Sequence, residues 1–219
     1  YKLTGNMSYF NASRDLADFI MYGNASEGDF YNGLYHDFGH GPSWYWWGYS
    51  FDYRYLVRFS EVSENATYEE YAIDAWNWVT EPPSTYYGDG NQTAMYKNMY
   101  DWYGTHGGAI WGCGDFALAA LACGGTEWAE HMAQVIQSNL TKIDGSDAYR
   151  YIGWGKALEM FQAVDPTTYA SDITTLIGNL TDSQLPDGSW GDSAQDTAYA
   201  ITGLAAVNEI DVARNGADW

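Results

Sequence analysis

Along most of the chain apolar residues return every third or fourth position, the spacing that lines one face of a helix. Segments patterned in this way, separated by clusters of Gly, Asp, Asn and Pro, predict helices near 12–22, 44–60, 67–79, 93–103, 114–123, 126–141, 147–163, 167–181 and 193–207. Alternation with period two, the mark of a strand, is almost absent. Edges carry chemistry of their own: Thr67 followed by Glu70 forms a capping box ahead of Tyr71, Ala75 and Trp78, and Pro82-Pro83 stops that helix. Asp165-Pro166 opens the helix bearing Tyr169, Ile173, Leu176 and Ile177, with Pro in its first turn. The pattern describes an all-α protein, and 219 residues suit a single domain over 1–219 with a core of its own.

Short connections force neighbouring helices to run antiparallel, which makes helical hairpins. A weak internal repeat supports this. Trp-Gly occurs at Trp47-Gly48, Trp111-Gly112, Trp154-Gly155 and Trp190-Gly191, spaced 64, 43 and 36 residues apart, each early in or just ahead of a predicted helix. After three of them comes an acidic residue, Asp52, Asp115 or Asp196, as an apolar helical run begins. Repeated hairpins of that size build a superhelix or a closed ring.

The segment from Gln184 to Gly191 (Gln-Leu-Pro-Asp-Gly-Ser-Trp-Gly), with the helix that follows from Asp196, resembles the Gln-Trp repeat of the squalene cyclase and prenyltransferase superfamily. That resemblance implies an α/α toroid, in which hairpins place inner helices around a central cavity. In that family the Gln and Trp tie a loop to the start of the next helix, so the likeness carries fold rather than activity. The cyclases' Asp-rich acid motif has no counterpart here. The prenyltransferases' zinc ligands, Asp then Cys then His, meet Cys113 and Asp115 in the reverse order. Six hairpins would need twelve helices against the nine predicted, so the expected ring is open or incomplete.

Gly112-Cys113-Gly114-Asp115-Phe116 resembles the Gly-Cys-Gly-Glu-Gln turn of complement-like thioester domains, which share the toroid and are secreted. Phe116 stands where the thioester Gln would be and cannot be acylated, so only turn geometry would be shared. Cys113 and Cys123 are the only cysteines. On one helix they would sit roughly 15 Å apart, beyond bridging distance, which predicts two free buried thiols.

Seven of the twelve Asn residues open an Asn-x-Ser/Thr sequon: Asn6, Asn11, Asn24, Asn65, Asn91, Asn139 and Asn179. The Ser and Thr content would place only roughly one or two there by chance, so the chain is expected to carry covalent N-glycans and to work outside the cytoplasm. It begins with Tyr and shows no charged-then-apolar leader, which reads as a chain already trimmed of its export signal. No apolar stretch is long enough to span a bilayer. A formal net charge of −20 repels phosphate backbones and excludes nucleic acid as a partner, and it suits a salt-rich medium. An archaeal surface fits both the acidity and the glycosylation. Disorder is excluded by 11 Trp and 20 Tyr, residues that also enrich interfaces and sugar-stacking surfaces.

Candidate chemistry is sparse. His36 and His40 flank Asp37 at metal-ligand spacing, with His106 as a third zinc ligand, although Gly39, Gly41 and Pro42 oppose a helix there. Asp187, Asp192 and Asp196 would suit calcium. A carbohydrate-active enzyme of toroid type, a glycoside hydrolase or polysaccharide lyase, would draw on Asp37, Asp52, Asp101 or His106, with Trp44, Tyr45, Trp46 and Trp47 stacking sugar rings. A monomeric glycan-binding module is a further alternative. The composition favours a structural surface glycoprotein, a subunit of an extracellular filament, sheath or surface layer that self-assembles through the surface its glycans leave bare.

Overall fold

A computed structural model of the chain describes residues 5–22, 46–80 and 92–217. Among them are ten helices and no strand: α1 (Met7–Tyr22), α2 (Trp46–Ser63), α3 (Thr67–Thr80), α4 (Gln92–Tyr103), α5 (His106–Ala122), α6 (Thr126–Leu140), α7 (Arg150–Val164), α8 (Ala170–Ser183), α9 (Ala194–Ala206) and α10 (Ile210–Ala217). The all-α expectation holds. None of these helices is long and apolar enough to cross a membrane. The chain divides into two compact units, Tyr1–Gly90 with Ala122–Gly125, and Asn91–Leu121 with Thr126–Trp219.

In the first unit α1 packs against α2 and α3, and α2 against α3. Its core is aromatic. Phe59 lies edge-on to Tyr68 at 4.9 Å and contacts Phe10 at 5.7 Å, while Tyr53 meets Trp76 edge to face. Such ring pairs add to the area they bury. The start of α3 departs from the Thr67 capping box: Asn65 Oδ1 accepts the Thr67 amide and supplies the cap. Cys123 is buried, its Sγ 3.9 Å from the Ala72 carbonyl oxygen.

The second unit shows the repeat far more plainly than the Trp-Gly pairs do. Helices α5, α7 and α9 begin at residues 106, 150 and 194, two steps of 44, and α6 and α8 begin at 126 and 170, a step of 44 again. Glycines let the odd-numbered helices touch. A Cβ on Gly153 would lie 2.7 Å from the Gly107 Cα, and one on Gly155 would lie 2.2 Å from the Tyr199 carbonyl oxygen. Contacts climb together along both members of each pair: Gly107 meets Tyr149 and Gly153, then Gly114 meets Lys156; Gly191 meets Tyr151, then Gly203 meets Gly155. Hence α5, α7 and α9 run parallel, and α6 and α8 return the chain between them. Each unit of the repeat is a helical hairpin. Among the even-numbered helices α4 packs on α6.

The Trp-Gly pairs occupy different places in this register. Trp47-Gly48 starts α2, Trp111-Gly112 lies inside α5, Trp154-Gly155 falls in the first turns of α7, and Trp190-Gly191 precedes α9. The segment around Cys113 is likewise helix interior rather than the turn its glycines suggested, because α5 starts at His106. Thr105 Oγ1 accepts the Gly108 amide at 3.1 Å, and buried Asp147 accepts the Gly107 amide at 2.9 Å. Both satisfy first-turn donors that would otherwise be orphaned.

Candidate functional site

The Gln-Trp loop is a staple built from three elements. Trp190 is fully buried and donates its indole N–H to the Leu180 carbonyl of α8 at 2.7 Å. Its backbone amide reaches Thr197 Oγ1 of α9 at 3.1 Å. Gln184 Nε2 donates to the Gly188 carbonyl at 2.9 Å and to the Val212 carbonyl of α10 at 3.2 Å. Gly188 at φ +93 and Gly191 at φ +63 occupy the left-handed region that only glycine enters cheaply. Asp187 and Asp196, offered above as calcium ligands, serve this loop as caps. Asp187 Oδ1 accepts from the Ser189 amide and hydroxyl, and Asp196 pairs with Ser193 in a reciprocal N-cap of α9. Asp192 is exposed.

His106, at the start of α5, stacks on Tyr100 with ring centroids 4.4 Å apart and shares a 2.8 Å hydrogen bond between its Nδ1 and the Tyr96 hydroxyl. Burial, and then the Lys142 ammonium, hold its pKa below the usual imidazole value. Asp101 pairs with Lys97 one turn away on the exposed side of α4. His36, Asp37, His40, Trp44, Tyr45, Asn24 and Asn91 lie outside the described residues, as do the side chains of Trp46, Trp47 and Asp52 on α2. Among the described residues no group of three His, Cys, Asp or Glu side chains gathers at a spacing that would hold a metal ion.

Five sequon asparagines are described. Asn6, Asn11 and Asn65 are exposed. At Asn6 and Asn65 the side-chain oxygen accepts the backbone amide of the sequon's own Ser8 or Thr67, so each sequon forms an Asx turn at a helix start. Asn139 and Asn179 are half-buried near the carboxyl ends of α6 and α8, and Asn139 Nδ2 donates to the Val135 carbonyl at 2.7 Å.

The most unusual chemistry joins Asp115 to two residues the sequence did not single out, Lys156 and Glu159. Lys156 on α7 is 2% exposed, and its Nζ lies 2.7 Å from Oδ1 of Asp115 on α5, itself 1% exposed. Glu159, one turn along α7, accepts from the same Nζ at 2.6 Å. One ammonium thus serves two carboxylates inside an aromatic shell. The Tyr199 ring covers Nζ at 5.3 Å, and its hydroxyl is held by the Trp111 indole N–H at 2.9 Å. Tyr103 packs on Trp111 at 5.6 Å. Gly114 makes room for the lysine stem, since a Cβ there would lie 2.6 Å from Lys156 Cγ. A buried ion pair is expensive to desolvate, and it persists only where geometry and further hydrogen bonds compensate. The sequence signal was Lys156 with Glu159 three residues on, inside the otherwise largely apolar run 151–161 of a chain with nine basic residues.

Both thiols are unbridged and buried. Burial raises the Cys113 pKa, and burial with the Glu69 charge pushes Cys123 up to about 12, which leaves both inert as nucleophiles. Comparison with known proteins finds no matching family model, no matching curated protein and no matching solved structure.

Proposed function

We propose that this chain is an exported, heavily N-glycosylated structural subunit that assembles with copies of itself at or beyond the cell surface, its hairpins forming an open or incomplete α/α toroid. The carrying observation is the surface of α1. Tyr9 and Leu16, each about half exposed, lie with exposed Ala12 along one side of that helix, beside its buried face of Ala17, Ile20 and Met21. An apolar stripe of this length on a chain of net charge −20 favours burial against another surface. Helical periodicity puts sequon residue Asn11 on the opposite half of α1, so glycan there leaves the stripe clear.

A second copy is the favoured occupant, because identical apolar stripes complement one another about a two-fold axis, and the salt that screens an acidic surface also strengthens apolar burial. The toroid is supported by the parallel row of α5, α7 and α9 and by the Gln184 and Trp190 staple. Sedimentation of the native glycoprotein tests the proposal. Self-association, to a dimer at the least, that is lost in Tyr9→Asp and Leu16→Asp variants is expected; a monomer at every concentration and salt level would contradict it.

A further inference from the structure

The cluster around Lys156 has the components of an amide-forming site, and we propose that Lys156 Nζ and Asp115 Cγ become joined by an intramolecular isopeptide bond with Glu159 as the proton relay. The inference stands independently of the structural role proposed above. Three features carry it: a primary amine and a carboxyl group in contact at 2.7 Å, both nearly sealed from water, and a second carboxylate 2.6 Å from the same nitrogen.

In the proposed reaction the ammonium passes one proton to Asp115 inside the aromatic shell of Tyr199, Trp111 and Tyr103, which leaves a neutral amine facing a neutral acid. The amine lone pair attacks Asp115 Cγ and forms the N–C bond. Glu159 takes a proton from Nζ and returns it to the departing hydroxyl as the Cγ–O bond breaks, and one water leaves. The proton count closes, nothing is oxidised or reduced, and Glu159 ends as the carboxylate it began. Holding both partners on packed helices supplies the proximity that such a condensation lacks in water. Exclusion of water opposes the reverse hydrolysis. Glu159 is the most exposed of the three side chains and marks the side by which water departs. The product would lock α5 to α7, adjacent parallel members of the hairpin repeat.

Peptide mapping of the full-length folded protein, denatured and digested with trypsin, reads the bond directly. The expected result is no cleavage after Lys156 and a branched peptide linking Lys156 to the segment bearing Asp115, lighter by one water than its two parts. Glu159→Gln should abolish that species, restoring the cut at Lys156, and Lys156→Arg should never form it. Complete cleavage after Lys156 in the wild-type protein, with both peptides at full mass, overturns the proposal whatever the variants do. A branched peptide that persists in Glu159→Gln would overturn the relay role.

Discussion

A Cβ placed on Gly203 would lie 2.4 Å from the carbonyl oxygen of Gly155, so α7 and α9 touch backbone to backbone with no side chain between them. The same geometry, repeated between Gly107 and Gly153, sets the spacing of the parallel helices on which the second unit is built.

Substituting these glycines should therefore force helices apart rather than move a flexible side chain. Gly203→Ala and Gly155→Ala are expected to destabilise by about 1–3 kcal/mol or more, the range for overpacking, read as a lower urea midpoint. Gly178, on α8 with open space around its Cα, is the control. Gly178→Ala should be neutral or stabilise by up to about 1 kcal/mol through helix propensity.

The Gln-Trp staple makes a second prediction. Trp190→Phe keeps most of the ring volume but leaves the Leu180 carbonyl without its indole donor, at a cost of about 1–3 kcal/mol. Gln184→Ala removes two hydrogen bonds that reach Gly188 and Val212, at about 1–3 kcal/mol in all. Faster hydrogen exchange in α10 should accompany the Gln184 change, because that bond ties the last helix down.

His106 sets a pH dependence. Its folded pKa lies below the unfolded value of 6.5, chiefly through burial, so the unfolded chain binds the proton more readily. The stability this group contributes is present above the unfolded pKa and is lost as pH falls through the folded one. Imidazole titration by NMR should place His106 below the ordinary range, and His106→Gln should flatten the acid limb of the stability curve. A titration at or above the ordinary value would contradict this.

Much of the helical architecture was legible because amphipathic spacing is written locally: the edges of α3, α4, α6 and α9 fall within a residue or so of those predicted. The run His106-Gly107-Gly108 was not legible as helix, since glycine normally breaks one. Its helical role depends on close packing against Tyr149 and Gly153, which local sequence does not display. The eight-residue α10, with Asp211, Arg214, Asn215 and Gly216, is too short and too polar on average to announce itself. Lys156 and Glu159 meet Asp115 only through the pairing of α5 with α7, so sequence spacing could not join them.

Glycan occupancy should follow the exposure of each asparagine. Glycopeptide mapping of the native protein is expected to find Asn6, Asn11 and Asn65 largely occupied, and Asn139, whose amide nitrogen bonds the Val135 carbonyl, occupied least. Asn65→Gln should remove one glycan's mass without unfolding α3, at a cost of about 1 kcal/mol for the lost cap. Unmodified asparagine at all three exposed sites would contradict the assignment to an exported glycoprotein.

Electron microscopy of extracellular material from the native source, decorated with gold-labelled antibody to this chain, tests the assembly role most directly. The account predicts label along ordered filaments, sheaths or sheets. Label confined to dispersed single particles, in material whose surface structures remain intact, would contradict it.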